Sequence, residues 1–511
     1  MADTKREIER KYDSDESGLP DLTGIAGVAA VIDKGVVELD ATYYDTADER
    51  LAASSITLRR RTGGSDAGWH LKFPVAQDVR DEIHAPLSDT VPRTLAALVR
   101  SRVRGTPLLP LVRLRSERDL RDLVDVDGRL LAEVSVDTVH AERLTGDGST
   151  AQWTEIEIEL AEGGDPKLLD KAEKRLRKAG VRPCAAPSKL ARALAETAPP
   201  RRRLPAPAEP VTAGDHVLAY VREQRDALVE LDPAVRRDVP DSVHRMRVAT
   251  RRARSAFRSY GKVLDRAVTD PIGEELKWLA GELGVGRDQE VLTERLSAAV
   301  STLPRALLTG PVRTRLRTWA HARRGGSRRR LIAVLDGRRY LDLLDALDAL
   351  LADPPLLRAA ARPPEKVILA AVRNDLDRLA ALIEQALATP PGTHRDLALH
   401  EARKKTKRTR YAAEAAITAL GEPAADLARA MKSLQNLLGD HQDSVMAREA
   451  LRELARQAHA AGESTFTYGV LYGREEQRAA ADEAELPDTW TAARAGTVLA
   501  AVRGMSPAGL R

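Results

Sequence analysis

A single cysteine, Cys184, stands in 511 residues. That excludes a disulfide framework and any cysteine-built metal centre. Aromatic residues make up only 3% of the chain, so its cores must rely on Leu, Val and Ala. The same scarcity leaves little for stacking nucleic-acid bases. Long apolar runs are missing too. The stretch from Gly24 to Ile32 is far short of a membrane span, and Met1 to Arg6 has no apolar signal region. These absences predict a soluble protein of a reducing, cytoplasmic compartment, with no membrane partner.

What is present is globular. Hydrophobic residues are 43% and charged residues 31% of a chain long enough for about two to four domains. The formal net charge is only +5, but the basic residues are clustered, and the clusters say more than the sum.

The first two hundred residues alternate like strands. In Glu7-Ile8-Glu9-Arg10-Lys11-Tyr12, the side chains of Glu7, Glu9 and Lys11 share one face. Two carboxylates about 7 Å apart on one strand suit a hard divalent cation better than an apolar core. Alternation recurs from Val36 to Tyr44. It recurs from Ile56 to Arg61, with Arg59 and Arg61 together, and from Trp69 to Phe73, with His70 and Lys72 together. Arg80 and Glu82 share a face, as do Arg113 and Arg115 opposite Val112 and Leu114. Asp125 and Asp127 oppose Val124 and Val126 before a hairpin signal at Gly128. Thr154 to Leu160 sets Glu155, Glu157 and Glu159 against Ile156, Ile158 and Leu160. Helices are expected between Asp165-Pro166 and Gly180 and from Pro92 to Arg104.

About eight strands with few helices point to an α+β domain on an antiparallel sheet. On an open sheet the charged faces would only meet solvent. In a closed barrel they line a lumen. Lys11, Arg59, Arg61, Lys72, Arg113 and Arg115 would then grip phosphate oxygens. Glu7, Glu9, Glu155, Glu157 and Glu159 would hold Mg²⁺ or Mn²⁺.

Glu7-x-Glu9-x-Lys11, Tyr43-Tyr44-Asp45-Thr46, Leu58-Arg59-Arg60-Arg61, the Lys72 strand, Arg80-x-Glu82, Glu155-x-Glu157-x-Glu159-Leu160 and Ser188-Lys189 run in that order. In order and rough spacing they resemble the CYTH family, the triphosphate tunnel metalloenzymes, over residues 1–197. The resemblance implies an eight-stranded tunnel that binds a triphosphate with one or two divalent cations. It implies Glu7, Glu9, Glu155 and Glu157 as metal ligands, with Glu159 beside them, and Asp127 or Asp125 as a further acid. Arg59, Arg61, Lys72, Arg113, Arg115 and Lys189 would bind phosphates. Glu7, Glu9 and Lys11 would be catalytic. The implied chemistry is hydrolysis, most simply of inorganic triphosphate to pyrophosphate and phosphate.

Residues 198–210 hold five prolines around Arg201-Arg202-Arg203 and read as a semi-rigid linker. From 211 to 500 the period is helical, and 501–511 reads as a tail. Two segments in this region match each other at one constant offset. His244, Arg247, Arg251, Arg252 and Arg254 align with His400, Arg403, Lys407, Arg408 and Arg410. Each is followed by a Leu-Gly helix, Leu283-Gly284 with Asp288 and Leu438-Gly439 with Asp443. This predicts an all-α domain of two pseudo-symmetric bundles, about 211–352 and 365–500.

At 100° per residue, His244, Arg247, Arg251 and Arg254 fall within a sector of about 80°, as do His400, Arg403, Lys407 and Arg410. Met246, Ala249 and Ala253 lie opposite, toward the core. Solvated helices usually interleave acids at i±4. Between His244 and Arg254 there is no acid, and between His400 and Tyr411 only Glu401. Such stripes cost stability unless an anion neutralises them. Lys404 joins the second stripe. Arg323, Arg324, Arg328, Arg329, Arg330, Arg338 and Arg339 would extend the patch.

The doubled His-x-x-Arg pattern, with Leu-Gly and Asp288 or Asp443 downstream, resembles the CHAD family of histidine-containing α-helical domains. That resemblance implies binding of inorganic polyphosphate on the basic surface by both stripes. It also suggests polyphosphate granules as a location. The histidines are expected to hydrogen-bond phosphate or a neighbouring helix rather than ligate a metal.

The leading expectation is thus a metal-dependent triphosphatase joined to a polyphosphate-binding module. The same tunnel family also includes adenylate cyclases and nucleoside or thiamine triphosphatases. A non-catalytic scaffold for polyphosphate or nucleic acid is the remaining alternative, because both polymers bind by counterion release.

Overall fold

The computed structural model describes residues 3–14, 18–146, 148–197, 209–324 and 327–495. The expected linker, apart from residues 209–210, and the expected tail lie outside the described residues. The chain divides into two compact units, Met1–Ala206 and Pro207–Arg511.

The first unit is a closed barrel. Its strands are β1 (Asp3–Ser14), β2 (Ala30–Asp45), β3 (Thr57–Thr62), β4 (Gly68–Ala76), β5 (Val79–Ala85), β6 (Leu109–Val124), β7 (Leu130–Arg143) and β8 (Thr150–Leu160). They pair antiparallel in the order β5-β4-β3-β2-β6-β7-β8-β1, and β1 closes the ring by pairing back to β5. A two-residue strand, β9 (Arg182–Pro183), adds to the edge of β1.

Alternation decides what lies inside. On β8, Ile156, Ile158 and Leu160 point outward, where helix α2 (Lys167–Lys178) covers them with Leu168, Leu169 and Ala172. Helix α1 (Arg93–Val103) covers the outer face of β3, β4 and β5 in the same way, through Leu95, Leu98 and Val99. Helix α3 (Lys189–Thr197) does something different. Its Leu190, Ala193 and Leu194 pack on Tyr43, Val112, Leu114 and Trp153, so it fills one end of the barrel interior.

That packing corrects the reading of β6. Val112 and Leu114 belong to the inner face because α3 fills the lumen there. Arg113 and Arg115 therefore point outward. Arg113 donates to Asp40 at 2.5 Å and Arg115 is exposed. The inner face of the same strand continues through Ser116 to Arg118 and Leu120.

The second correction concerns Asp125 and Asp127. They lie beyond the end of β6, in its turn to β7. The Asp125 carboxylate accepts from the backbone N–H groups of Asp127 (3.0 Å) and Arg129 (2.9 Å), and Gly128 takes φ +77°. Asp127 is exposed. Neither aspartate reaches the lumen.

The second unit is helical. It comprises α4 (Ala213–Arg236), α5 (Ser242–Ser259), α6 (Arg266–Glu282), α7 (Gly284–Ser301), α8 (Val312–Arg324), α9 (Ser327–Asp336) and α10 (Arg338–Ala352). These are followed by α11 (Pro364–Ala388), α12 (Thr393–Leu420), α13 (Glu422–Ala460) and α14 (Phe466–Ala495). Among the described residues no helix is long and apolar enough to cross a membrane.

The repeat is visible in the helix order: α4-α5-α6-α7 in the first half answers α11-α12-α13 in the second. Met246, Ala249 and Ala253 of α5 are buried, with Ala402, Ala412 and Ala413 of α12, in one core shared by both halves. The halves differ at the Leu-Gly motif. In the second half it lies inside the continuous α13, whereas in the first the helix breaks at Leu283. Gly284 and Gly286 follow that break, and glycine weakens a helix by about 1 kcal/mol relative to alanine. The second half has His441 where the first has Gly286.

Candidate functional site

The barrel encloses a cavity of about 820 Å³ lined mainly by polar and charged side chains, with Val37, Leu39, Leu120, Leu130 and, at the end of β8, Leu160 also in its wall. Its acids come from neighbouring strands. Register places Glu9 of β1 directly opposite Glu159 of β8, and Glu159 opposite Glu133 of β7. Like charges directly opposed across a sheet destabilise it unless a cation lies between them. Glu7, Glu9 and Glu159 each offer a carboxylate oxygen within 4.8 Å of the others. Burial pushes the Glu7 carboxyl up to about 7, despite Lys72. Burial also opposes the charge of Glu9, but Lys11 and Lys72 outweigh it and hold that carboxyl below its ordinary range. A largely buried, oxygen-only cluster in this state fits a hard divalent cation.

A second acid cluster joins Asp137, Glu155 and Glu157. Here a cation is already built in. The Lys189 ammonium, brought by α3, lies 2.9 Å from Asp137, 2.7 Å from Glu155 and 2.8 Å from Glu157. Arg118 adds a two-pronged contact to Asp137 at 2.7 and 2.8 Å and reaches Glu157 at 2.9 Å. Burial opposes ionisation of Glu157, yet Lys11, Lys189 and Arg118 hold its carboxyl well below the usual range. Lys11 bridges the clusters, pairing with Glu157 and lying 3.0 Å from Glu9.

The cations expected from sequence divide accordingly. Arg59, Arg61 and Lys72 line the cavity. Arg59 donates to the Tyr43 hydroxyl at 3.3 Å, Arg61 pairs with Asp66, and Lys72 pairs with Glu7. Lys189 lines it as well, but its ammonium faces carboxylates rather than open space. Arg113, Arg115 and Asp127 are absent from it.

Sequence reasoning missed Arg118 and Asp137, and it placed His70 and Glu82 on the charged faces without giving them a role. Asp137 was detectable: Glu133-x-Ser135-x-Asp137 alternates with Val134 and Val136 just as β8 does. His70 shares a hydrogen bond of 2.9 Å with Glu82. Burial, then Arg59, brings the His70 imidazole down to about 4, so it is neutral at physiological pH.

The helical unit holds a second cavity, about 990 Å³, between its halves. Arg247, Arg251 and Arg254 enter from α5, and Arg403, Lys404, Lys407 and Arg410 from α12. His244 and His400 line it too, and His400 Nδ1 lies 2.6 Å from Gln442 Oε1. Of the two Leu-Gly glycines, only the first sits tight against the lining. A Cβ on Gly284 would lie 2.8 Å from Arg247 Nη2, and one on Gly439 would lie 4.0 Å from Arg403 Nε. Arg247 is aimed by Asp288, at 2.8 and 3.1 Å.

A CYTH domain model matches residues 5–193 and a CHAD domain model matches residues 219–452. The uncharacterized protein Rv2226 of Mycobacterium tuberculosis is 41% identical over 486 residues, 92% of each chain. The chain belongs to the CYTH–CHAD proteins. CYTH proteins are triphosphate tunnel metalloenzymes. Among solved structures, the CHAD domain of the plant Ricinus communis is 25% identical (TM-score 0.41), covering 58% of this chain and 97% of that one. A Hippeastrum protein, HpAC1, described as revealing a dominant triphosphatase activity, is 17% identical (TM-score 0.22), covering 38% and 97%.

Within the CHAD domain two expected contacts change. Arg252 and Arg408 sit eight residues after their histidines, which turns them about 80° off the stripe. Arg252 donates to Glu414 at 2.8 Å. Arg408 is held by buried Asp375 (3.2 Å) and the Arg258 carbonyl (2.8 Å) and does not line the cavity. Arg330 and Arg339 pair with Glu282 and Glu275. A third acidic group, Asp396, His441 and Glu483, is already neutralised by Arg448 (3.2 Å) and Arg395 (2.7 Å).

Proposed function

We propose that the CYTH domain hydrolyses a triphosphate, most readily inorganic triphosphate, to pyrophosphate and phosphate, and that the CHAD domain binds inorganic polyphosphate. One observation carries the first part. A carboxylate trio, buried Glu7 and Glu9 with half-buried Glu159, shares a closed lumen with Arg59, Arg61, Lys72 and Arg118. Acids and cations at one site suit a polyanion bridged to metal.

Glu7, Glu9 and Glu159 are the residues that would hold Mg²⁺ or Mn²⁺, which supplies charge neutralisation and polarises a phosphoryl oxygen. A second cation at Asp137, Glu155 and Glu157 would require Lys189 to move aside. Arg59, Arg61, Lys72 and Arg118 bind phosphate oxygens and stabilise charge on the bridging oxygen as its bond to the terminal phosphorus breaks. Water supplies the new P–O bond, and pyrophosphate leaves. Lys11 orients the acids on either side of it. The preference for inorganic triphosphate is supported by the lining: α3 fills one end with Leu190 and Leu194, and Arg59, Arg61, Lys72 and Arg118 face the space that remains.

The test is phosphate release from inorganic triphosphate, ATP and long-chain polyphosphate with Mg²⁺ or Mn²⁺, for wild type and Glu7→Ala/Glu9→Ala. Triphosphate hydrolysis that disappears in the variant supports the reading. Cyclic nucleotide formation from ATP, or no turnover of any substrate, sinks it. For the CHAD domain, labelled polyphosphate is competed with DNA at fixed salt, and preference for DNA overturns the polymer assignment.

A further inference from the structure

Charge in the CHAD cavity is unbalanced at its centre. Arg251 and Arg403 make no ion pair or hydrogen bond among the described residues, and neither does Lys407. The Nε atoms of Arg247, Arg254, Arg403 and Arg410 are buried without a hydrogen-bond partner. These groups come from both halves of the duplication and converge on one space. We propose that this centre takes up linear inorganic polyphosphate and a proton together, with Lys407 as the group that carries the proton. The inference rests on the polyphosphate reading of the CHAD domain and adds how the site is charged.

The surroundings of Lys407 decide its state. From α5 it faces Arg247 and Arg251, and on its own helix Arg403. Asp443 of α13 is the carboxylate that relieves it most directly, while Lys432 of that helix adds another cation to the lining. Asp288 of α7 is engaged by Arg247, and Arg295 of α7 by Glu475 at 2.7 Å. Glu223 of α4, His244, Arg245, Arg252 and Arg254 of α5, Lys277 of α6, and His400, Lys404, Arg410 and Tyr411 of α12 complete the charged and titratable lining.

With so few acids facing so many cations, a half-buried ammonium among guanidiniums is the group that yields. Arginine cannot lose its proton near neutral pH and lysine can. Burial first, then Arg403, Arg251 and Arg247, brings Lys407 down to about 6, against the pull of Asp443. In the empty cavity at pH 7.5 it is therefore mostly neutral. A phosphate chain brings dense negative charge alongside, which reverses the repulsion and recharges the amine. The internal phosphoryl groups of a long chain are strong acids and remain ionised throughout. The proton taken up thus belongs to the protein.

Linkage fixes the sign. The bound state holds more protons than the free state at pH values above the free-state midpoint, so affinity rises as pH falls. The experiment is calorimetric titration of the full chain with long-chain polyphosphate at pH 7.5 in buffers of different ionisation enthalpy. It is run on wild type, Lys407→Arg and Lys407→Met. Wild type is expected to take up about one proton per site, and its affinity to fall about tenfold per pH unit between about pH 7 and 8.5. Lys407→Arg, permanently charged, keeps its affinity across that range and loses the uptake. Lys407→Met binds more weakly, also without uptake. Binding by wild type with no proton uptake, or the same uptake in Lys407→Arg, overturns the proposal alone. Failure of wild type to bind polyphosphate at all overturns the CHAD reading beneath it as well.

Discussion

The barrel lumen and the helical cavity are both rich in Lys and Arg, yet they treat those charges in opposite ways. In the lumen nearly every cation has a carboxylate beside it: Lys72 pairs with Glu7, Lys11 with Glu157, and Lys189 with three acids. In the CHAD cavity Arg251, Arg403 and Lys407 make no ion pair among the described residues, with Asp443 and Asp288 acting on them only through space. A balanced site can be buried deeply and held rigid before substrate arrives, which is what catalysis by fixed charges requires. An unbalanced site waits for its counter-charge and suits reversible capture of a polymer.

The comparison breaks most sharply with Glu7→Ala/Glu9→Ala. Triphosphate hydrolysis is expected to fall by at least ~10³-fold in a phosphate-release assay, while polyphosphate binding stays unchanged. The converse pair, Arg251→Ala/Arg403→Ala, removes two charge-assisted contacts of about 1.5–3 kcal/mol each. It should weaken polyphosphate binding by about 10²–10⁴-fold in a mobility or anisotropy titration and leave triphosphate turnover alone. A turnover loss in that variant would show that the two regions do not act separately.

A pH series sharpens the contrast further. The Glu7 carboxyl is raised to about 7 by burial, so in the metal-free barrel it carries a proton over a range where a free glutamate has none. A cation must displace that proton. Apparent Mg²⁺ or Mn²⁺ affinity is therefore expected to drop about tenfold per pH unit below about pH 7. The rise in melting temperature on adding metal should be larger at pH 8 than at pH 6. The CHAD cavity, with its suppressed lysine, has the opposite dependence: polyphosphate binding tightens as pH falls. The smallest effect is expected at Arg113→Ala/Arg115→Ala, outside the barrel wall. Turnover there should change by less than about twofold.

The two regions were also unequally legible in the sequence. The duplicated stripe was plain because α5 and α12 are long, regular helices whose apolar faces, such as Met246, Ala249 and Ala253, are buried. What one dimension could not show was which basic residues bend away to local acids. Arg408 meets Asp375 from α11, thirty-three positions earlier in the chain. In the barrel, β8 was readable because polar and apolar residues alternate from Glu155 to Leu160, and β1 because Glu7, Glu9 and Lys11 share one face. On β6 the rule failed. Its inner face changes character along its length, apolar where α3 plugs the lumen and charged beyond. The outward arginines therefore looked like the functional ones, and Arg118 was passed over. Asp125 and Asp127 misled for a related reason: a hairpin turn that caps its own backbone mimics the alternation of the strand it ends.

Helix α3 has a consequence for how the chain is made. Strand β1 leaves the ribosome before the other strands, yet its partners β5 and β8 end at Ala85 and Leu160. Even then the barrel is unfinished. Asp137, Glu155 and Glu157 wait for the ammonium of Lys189, and Tyr43 and Trp153 wait for Leu190 and Leu194. One short helix, emerging about thirty residues after the last long strand, delivers both the counter-charge and the stopper. Until it arrives, the nascent domain has every strand it needs and an interior it cannot close.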